Sequence, residues 1–507
     1  MTQALDTQTA IAVIGAGAMG SGIAQVAAQA GHKVYLHDQR EGAAEAGRAG
    51  VAKQLQRRVD KGKLEQQTFD AIVGRIHPVS ALSEIADSGL VIEAIVEDLE
   101  IKRTLLADLE ELCNEETILA TNTSSISVTA LGAKLRHPER LVGMHFFNPA
   151  PLMALVEVVK GLATDNAVAE IVHATATNWG KKPVFATSTP GFIVNRVARP
   201  FYAESLRLLQ EGAADPATLD AILREAGNFR MGPFELTDLI GHDVNYAVTN
   251  SVFNSYYQDT RFLPSLIQKE LVEAGRLGRK SGQGFYRYTE DSERPEPGTE
   301  PACQSDDTRL IVEGETGPAA QLVERFREAG LEIVERDGPG QLRFGEAVLA
   351  LTDGRMATER ARLEGTPNLT LFDLAFDFGK ATRLAVSVAD QATDKARADA
   401  CALLQKAGIS VSVIEDRPGL VVMRTVAMLA NEAADAELHG VATKEDIDLA
   451  MKAGLNYPEG PLSWSDRLGN GRVFQVLTNI QNSYGEDRYR PALLLRKNHH
   501  ADKGFYA

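Results

Sequence analysis

The first forty residues alternate short apolar runs with a helical pattern of apolar positions. Residues 10–14 form an apolar run, and beyond a glycine-rich turn apolar side chains recur at helical spacing at Ile23, Ala24, Val26, Ala27 and Ala30. A second apolar run follows at residues 33–36. This order predicts a strand, a tight turn, a helix and a second strand, which is the opening of an α/β domain with a parallel sheet.

The turn between the first strand and the helix reads GAGAMG at residues 15–20. Gly15 suits a tight turn, Gly17 lets the backbone approach a pyrophosphate, and Gly20 lets the helix pack closely on the strand. A phosphate would then lie at the helix N-terminus, where backbone N–H groups have no partner. Glycines alone also fit an ordinary turn, but with this strand and helix they predict a dinucleotide-binding loop made of Gly15, Gly17, Ala18, Met19 and Gly20.

An acidic residue, Asp38, follows the second apolar run. At that strand end a carboxylate can accept hydrogen bonds from a ribose 2′-hydroxyl, whereas it would repel a 2′-phosphate. The acid therefore favours NAD over NADP. Arg40 lies two positions further on and is the one feature here that would suit the 2′-phosphate.

Two further apolar runs, at residues 88–96 and 117–121, predict parallel strands of the same sheet. Glu97 follows the first run, and the polar sequence NTSS at residues 122–125 follows the second. Ligands of open α/β sheets bind at the carboxyl ends of strands, so these side chains are candidates for a binding site. The alternative is that Glu97 begins a helix and that the Ser/Thr cluster caps one.

A histidine lies in the apolar run at residues 141–146, and Pro149 and Pro151 prevent that strand from continuing. The chain then resumes as LVEVV at residues 155–159, where Glu157 is the only charge. Two adjacent strands would place His145 and Glu157 opposite each other. A carboxylate there would fix the imidazole tautomer and leave the other nitrogen as a general base. The alternative is a solvated Glu157 on an edge strand and a His145 that only packs in the core.

With these motifs in place, residues 1–290 resemble the NAD-dependent L-3-hydroxyacyl-CoA dehydrogenase family. The matching runs, in family order and spacing, are GAGAMGSGIAQVAAQAGHKV, EAIVEDLEIK, ATNTSSIS, GMHFFNPAP, LVEVV, TPGFIVNRV and MGPFELTDLIG. The resemblance implies a Rossmann-type domain followed by a helical domain, NAD as the cofactor, and oxidation of an L-3-hydroxyacyl-CoA to the 3-oxoacyl-CoA. The length and the second half resemble the long bacterial form of the family.

The resemblance also assigns site residues. It implies that His145 is the catalytic base and Glu157 its orienting carboxylate, while Ser124 and Asn195 contact the reacting acyl portion. The side chains it assigns to the cofactor are Asp38, Glu97, Lys102 and Asn122. Lys61 matches a position near the CoA more loosely, and an exposed helix face is the alternative. At Ala154 this chain departs from the family, which commonly has a lysine there.

The sequence leaves the identity of the acyl chain open. The resemblance favours 3-hydroxyadipyl-CoA, from phenylacetate catabolism, with 3-hydroxybutyryl-CoA of short-chain fatty acid metabolism as the alternative. A tail that ends in a carboxylate needs a cationic partner, for which Arg196, Arg199 and Arg230 are candidates. Two other classes are a β-hydroxyacid or polyol-phosphate dehydrogenase, which would use a lysine base, and a non-catalytic NAD-binding scaffold.

The second half of the chain repeats the first. Landmarks from Pro190-Gly191 to Gly241 recur 228 positions later, from Pro418-Gly419 to Gly469, although Asn195 becomes Met423. The residues before them resemble an eroded nucleotide domain, in which Gly314 corresponds to Gly15 and Asp337 to Asp38, but Thr316 and Ala319 replace the other glycines. The predicted domains are a Rossmann-type domain (1–188), a helical domain (189–290), a linker (291–307), a degenerate Rossmann-like domain (308–416) and a second helical domain (417–507).

Composition limits the partners. The chain has 507 residues and a formal charge of −16, which argues against nucleic acid or an anionic membrane as a partner. Its three cysteines are widely spaced and form no metal-ligand motif, which indicates reduced thiols and no metal. No signal-like segment or long apolar run is present, so a cytoplasmic protein is expected. The family resemblance implies an acyl-CoA as its partner. The assembly state stays open between a monomer and a homo-oligomer.

Overall fold

The computed structural model describes residues 3–506, and the apolar runs near its beginning form an eight-stranded sheet. The strands are β1 (Ile11–Ile14), β2 (Val34–His37), β3 (Ile76–Val79), β4 (Leu90–Glu93), β5 (Ile118–Thr121), β6 (Leu141–Phe146), β7 (Leu155–Lys160) and β8 (Lys182–Thr187). Their order is β3-β2-β1-β4-β5-β6-β7-β8, and only the pair β6–β7 is antiparallel. The predicted α/β class and the parallel strands are confirmed.

Seven helices belong to this part of the chain: α1 (Ala18–Gln29), α2 (Ala43–Asp60), α3 (Gln66–Arg75), α4 (Leu99–Leu112), α5 (Val128–Gly132), α6 (Asn166–Asn178) and α7 (Val194–Val197). The buried face of α1 carries Ile23, Val26 and Ala27, as its periodicity predicts. These side chains join the strand residues and Trp179 in one apolar core. Removing this much apolar surface from water is the dominant force that holds the helices on the sheet.

A second sheet follows a helical segment. The helices are α8 (Arg199–Gln210), α9 (Pro216–Glu225), α10 (Pro233–Ile240), α11 (His242–Ser255), α12 (Leu266–Glu273), α13 (Ala320–Glu328), α14 (Ala357–Glu364), α15 (Asp394–Lys406), α16 (Val422–Leu438), α17 (Lys444–Leu455), α18 (Pro461–Leu468), α19 (Asn470–Tyr484) and α20 (Leu493–His500). The strands are β9 (Arg309–Glu313), β10 (Glu332–Arg336), β11 (Gln341–Phe344), β12 (Ala347–Leu351), β13 (Leu369–Phe372), β14 (Arg383–Val388) and β15 (Ser410–Val413). The sheet order is β10-β9-β11-β12-β13-β14-β15, with β11 antiparallel to both of its neighbours. No helix within residues 3–506 is long and apolar enough to cross a membrane.

The chain divides into two compact units whose bounds do not follow the repeat. The first unit runs to Arg196 and also takes in His439–Leu455, and the second comprises Val197–Leu438 and the residues from Asn456 onward. Helix α17 of the second repeat therefore belongs with the first sheet, where it packs on β7 and β8. The Thr187 N–H donates to the Val441 carbonyl at 2.8 Å just before that helix begins.

The corresponding helix of the first repeat, α9, packs on the second sheet. The bounds of α9 shifted by 228 positions fall on α17, yet α9 packs on β14 of the second sheet. The Phe376 N–H donates to the Ala226 carbonyl at 2.8 Å, and Arg383 pairs with Glu225 at 3.3 Å. Each sheet is thus covered by a helix from the other repeat, which makes the two halves of the chain depend on each other.

This exchange predicts the effect of filling one close contact. A Cβ added at Gly454 on α17 would lie 2.6 Å from Leu155 Cδ2 and 3.4 Å from Val194 Cγ2. Since Leu155 is fully buried and its side chain would have to shift, Gly454→Val is expected to lower the free energy of unfolding by about 1–3 kcal/mol, as measured by urea denaturation. The control is Gly50→Val inside α2, where an added Cβ meets nothing within 4 Å. Equal stability of the two variants would contradict the tight packing of α17.

Candidate active site and cofactor site

The antiparallel pair β6–β7 places His145 directly opposite Glu157. Their side chains touch, with His145 Nδ1 at 2.6 Å from Glu157 Oε2, and the two residues are 5% and 0% exposed. A carboxylate accepts hydrogen bonds only, so Nδ1 carries the proton. The nitrogen left available to take a proton from a ligand is therefore Nε2.

The second oxygen of Glu157 holds a turn of the backbone. Oε1 accepts hydrogen bonds from the N–H groups of Ile193 and Val194, both at 3.0 Å. The turn depends on left-handed backbone at Gly191 (φ 78°) and Phe192 (φ 46°), which aims the two amides at the carboxylate. Asn195 is the next residue after this anchored pair, so the same carboxylate fixes the imidazole and the start of the helix that carries Asn195.

Aromatic side chains cover the imidazole. The ring of Phe147 lies 4.6 Å from that of His145, and the ring of Phe192 lies 5.8 Å away, measured between centroids. The strand end itself is fixed by Asn122, whose Oδ1 accepts a hydrogen bond from the Phe146 N–H at 2.8 Å. Asn122 thus contacts the histidine strand as well as lying at the cofactor edge of the sheet.

A buried lysine that the sequence analysis did not single out supports the loop after His145. The Lys181 ammonium donates to the carbonyls of Ala150 at 2.5 Å and Met153 at 2.9 Å, and burial lowers its pKa. These carbonyls lie next to Ala154, where the family commonly has a lysine. Lys181 precedes β8 within a Lys-Lys pair, and no periodicity in the sequence distinguishes the inward lysine from its exposed neighbour.

The glycine turn after β1 has the geometry of a pyrophosphate cradle. Gly15 has φ 102°, and a Cβ at Gly20 would lie 1.7 Å from the Gly15 carbonyl oxygen, so α1 and the turn need both glycines. A Cβ at Gly17, by contrast, meets nothing within 4 Å. Gly17 is also the N-cap of α1 and has no side-chain capping bond, which leaves open space at the helix N-terminus for an anion.

Asp38 lies beside this cradle. Its carboxylate accepts from the Ala16 N–H at 2.9 Å and pairs with Arg40 at 3.1 Å. The hydrogen bond from Arg40 is the main reason that the pKa of Asp38 falls to about 2, so the group is ionised at neutral pH. A cavity of about 630 Å³ opens here between Gly15, Gly17 and Asp38, a size typical of small-molecule sites. The residues present fit a dinucleotide.

Glu97 links the ends of β4 and β5. Its Oε1 accepts from the Thr123 hydroxyl at 2.6 Å and from the N–H groups of Ser124 and Ser125 at 2.9 and 3.1 Å. Burial opposes its ionisation, but the Thr123 hydrogen bond and the Lys102 charge outweigh burial and lower the pKa of Glu97. Glu97 therefore fixes the loop that carries Ser124.

Lys102 is buried, and its ammonium lies 2.5 Å from Glu93 and 3.3 Å from Glu97. Glu93 was missed by the sequence analysis, although it is the only charge in the apolar run before residue 97. It also accepts from the Thr121 hydroxyl at 2.8 Å. A buried charge pair needs such extra hydrogen bonds, so Glu93 and Lys102 form a support beneath Glu97.

Two other sequence expectations have a structural outcome. Lys61 is the exposed C-terminal residue after α2. The cysteines are not all far apart, because Cys303 and Cys401 lie with Glu300 inside a cluster whose ligand atoms are within 4.8 Å of one another. Burial raises the pKa of Cys401 to about 12 and that of Cys303 above its usual value, so both thiols are protonated at neutral pH. The contact between Cys303 and Cys401 could not be predicted from their separation along the chain.

The second sheet has different residues at the positions that correspond to His145 and Glu157. The pairing of β13 with β14 continues to Asp373, whose N–H donates to the Ala385 carbonyl at 2.9 Å. These positions lie 228 residues after His145 and Glu157, so the histidine is replaced by aspartate and the glutamate by alanine. Asp373 accepts from the N–H groups of Val421, Val422 and Met423 at 2.7 to 3.0 Å, as Glu157 does in the first unit. The anchored turn is kept without a histidine.

The cavity beside the glycine turn of the second sheet is acidic. A Cβ at Gly314 would lie 2.0 Å from the Gly338 carbonyl oxygen, because the connection from β10 to β11 crosses the turn. The Gly340 N–H donates to the Glu313 carbonyl at 2.6 Å. Four acids, Glu315, Glu324, Glu335 and Asp337, line the cavity of about 760 Å³ beside it, together with one arginine, Arg336. This excess of negative charge opposes a pyrophosphate.

Comparison with known families matches separate parts of the chain to domains of one enzyme family. The NAD-binding domain of 3-hydroxyacyl-CoA dehydrogenase matches residues 10–189, and the C-terminal domain of that enzyme matches twice, at residues 191–288 and 419–504. The reduced Rossmann-fold domain of 3-hydroxybutyryl-CoA dehydrogenase matches residues 349–418. The double match confirms the predicted repeat.

Individual dehydrogenases of this family are similar to the chain. The chain is 45% identical over 99% of both sequences to a protein of Escherichia coli K12 named 3-hydroxyadipyl-CoA dehydrogenase. A probable 3-hydroxybutyryl-CoA dehydrogenase of Deinococcus radiodurans is 44% identical over 54% of this chain and 99% of its own. A crystal structure described as 3-hydroxybutyryl-CoA dehydrogenase from E. coli K12 superposes with a TM-score of 0.89 at 44% identity, covering 98% of this chain and 99% of that one. The chain belongs to the 3-hydroxyacyl-CoA dehydrogenase family, and with its NAD-binding domain it is an NAD-dependent oxidoreductase of 3-hydroxyacyl-CoA thioesters.

Proposed function

We propose that this chain oxidises L-3-hydroxyadipyl-CoA to the 3-oxo thioester, with His145 as the base and NAD as the acceptor. The observation that carries the acyl assignment is the 45% identity over 99% of both chains to a relative named for that substrate. The His145–Glu157 pair at 2.6 Å carries the chemical assignment. Bound NAD supplies the acceptor for the hydride that leaves C3.

The proton of the 3-hydroxyl leaves as the C3–H bond breaks, and His145 Nε2 takes that proton. The Glu157 carboxylate holds Nδ1–H and stabilises the positive charge that the imidazole acquires. Phe147 and Phe192 exclude water from the imidazole. Loss of the hydroxyl proton and of the hydride leaves a ketone at C3. His145 later releases the proton to solvent.

Ser124 and Asn195 act on the substrate oxygens. The Ser124 loop is held by Glu97 and the Asn195 helix by Glu157, so both donors sit on supports that do not need to reorganise during the reaction. We assign the loop of Gly15, Gly17, Ala18, Met19 and Gly20 to the pyrophosphate and Asp38 to the adenosine ribose. Glu97 and Asn122 line the nicotinamide side, with Lys102 acting through Glu97, and exposed Lys61 contacts the CoA.

The second candidate substrate is 3-hydroxybutyryl-CoA. It is favoured by the solved structure that carries this name and superposes over 98% of this chain. The two substrates differ only in the tail, so kcat/KM for the adipyl and butyryl thioesters decides between them. We expect the adipyl thioester to be the better substrate, and a higher kcat/KM for the butyryl thioester would reverse the assignment.

The dyad predicts two graded losses of activity. We expect His145→Gln to lower kcat about 10²–10⁴-fold, because it removes the proton acceptor. Glu157→Gln should also lower kcat substantially, because an amide neither fixes the tautomer in the same way nor stabilises the imidazolium. Steady-state reduction of NAD measures both, and calorimetric titration should show NAD affinity within about threefold of the native protein.

The control for the dyad is Glu170→Gln on α6, a helix that contributes no residue to the proposed site. Its activity should match that of the native protein. A Glu157→Gln variant with full activity between pH 6 and 9 would show that the carboxylate has no part in proton transfer.

The Asp38–Arg40 pair predicts a change of cofactor preference. Asp38→Ala removes the ribose acceptor and frees the Arg40 guanidinium, so NAD should bind about tenfold or more weakly while NADP binds more tightly than before. Titration calorimetry with both cofactors measures the change. The control is Asp70→Ala on the exposed face of α3, where the carboxylate accepts a hydrogen bond from Gln66 at 2.9 Å. An unchanged NAD:NADP ratio in Asp38→Ala would remove Asp38 from the ribose site.

The acidic lining beside Gly314 predicts one NAD per chain. Calorimetric titration of the native protein should give a stoichiometry near one, because the negative charge of the second cavity repels a pyrophosphate. A stoichiometry near two would mean that the second sheet also binds the cofactor.

A further inference from the structure

A small cavity in the second unit is lined by three arginines and no acid. It lies between α8, α11 and α12, has a volume of about 60 Å³, and its charged side chains are Arg199, Arg207 and Arg488. The polar groups beside them include Thr249 and Ser265. A site with this charge in a protein of net charge −16 selects an anion.

Of these three arginines, Arg199 is the strongest candidate for binding an anion, because no carboxylate within residues 3–506 pairs with its charge. It is only 5% exposed, and among residues 3–506 it forms no ion pair. Its Nη1 donates to the Thr249 hydroxyl at 3.1 Å, and its guanidinium lies 5.0 Å from the Tyr202 ring centroid. Burial lowers the pKa of Arg199, as expected for a cation without a carboxylate. A buried, unneutralised guanidinium is costly and is kept where it has a ligand to bind.

The other two arginines have acids outside the lining. Glu486 lies 3.7 Å from Arg207 and 3.3 Å from Arg488. Arg207 also donates to the Tyr489 hydroxyl at 2.7 Å, and although burial opposes this, the charge of Glu204 helps to raise the pKa of Arg207. The positive charge that remains for a ligand is therefore that of Arg199.

Two buried donors around the cavity have neither a hydrogen-bond partner nor an ion-pair partner within residues 3–506: Arg199 Nε and Ser265 Oγ. Buried donors are nearly always satisfied, so two of them in one lining point to an acceptor that these residues do not supply. A carboxylate offers several lone pairs and matches the planar fork of a guanidinium. The volume of about 60 Å³ is larger than a single water needs and admits a carboxylate group.

We propose that this cavity binds a carboxylate. The group comes either from the end of the acyl chain, a source that rests on the proposed adipyl substrate, or from a free dicarboxylate. Of the three arginines that the sequence offered for the tail, Arg199 lines this cavity, Arg230 is exposed, and Arg196 lies 3.3 Å from His439 Nδ1. Arg199 is therefore the one that this cavity offers to a carboxylate.

The test compares Arg199→Met, which removes the charge and keeps the side-chain volume, with Arg230→Met as the matched control at an exposed arginine. Two readouts are used on the full chain: kcat/KM for 3-hydroxyadipyl-CoA against 3-hydroxyhexanoyl-CoA, which has the same length without the carboxylate, and binding of glutarate by calorimetry. We expect Arg199→Met to lower kcat/KM for the adipyl thioester about 10–100-fold and that for the hexanoyl thioester less than threefold. Arg230→Met should change neither.

The outcomes separate the two sources. Selective loss on the adipyl thioester assigns the cavity to the acyl tail. Glutarate binding that disappears in Arg199→Met with an unchanged adipyl:hexanoyl ratio assigns it to a free dicarboxylate. If Arg199→Met alters neither readout, the cavity holds only water and the proposal is wrong. A native protein that does not prefer the adipyl thioester would overturn the proposed substrate, while glutarate binding would still decide the cavity. Should Arg199→Met fail to fold, Arg488→Met takes its place.

Discussion

The buried carboxylate of Glu157 is the group on which the rest of the first unit depends. One oxygen receives the imidazole of His145 at 2.6 Å, and the other receives two backbone N–H groups at 3.0 Å. A fully buried carboxylate is stable only when both oxygens are satisfied, so the histidine strand and the turn before Asn195 are held in one geometry. The positions of the proposed base and of the proposed substrate-binding amide are thereby coupled through a single side chain.

The second sheet acts as an internal comparison for that coupling. It keeps a carboxylate, Asp373, on the amides of the corresponding turn, but it has lost the histidine, and acids line the cavity beside Gly314. The anchored turn therefore occurs in both units, whereas the imidazole that pairs with it occurs in the first. The exchange of α9 and α17 gives the second sheet a structural role, because each sheet buries a helix that the other repeat supplies.

Much of the first unit could be predicted from the sequence, because its signals are local. The glycine turn, the strand ends and the lone charge of Glu157 in an apolar run all led to residues that the structure brings together. Glu93 carries the same signal as Glu157 and was missed, since its partner Lys102 lies on a helix and not on a neighbouring strand. Lys181 has no local signal at all. The helix exchange was also beyond prediction, because α9 and α17 carry the same amphipathic pattern and the pattern does not say which sheet it covers.

The most direct measurement of the Glu157 constraint is the tautomer of His145, read from ¹⁵N chemical shifts of histidine-labelled protein and assigned by comparison with His145→Gln. For the neutral ring, the account predicts a proton on Nδ1 and an unprotonated Nε2 in the native protein. It also predicts loss of this single tautomer in Glu157→Gln. A proton on Nε2 in the native protein would contradict the account, because the nitrogen that must accept the substrate proton would already carry one.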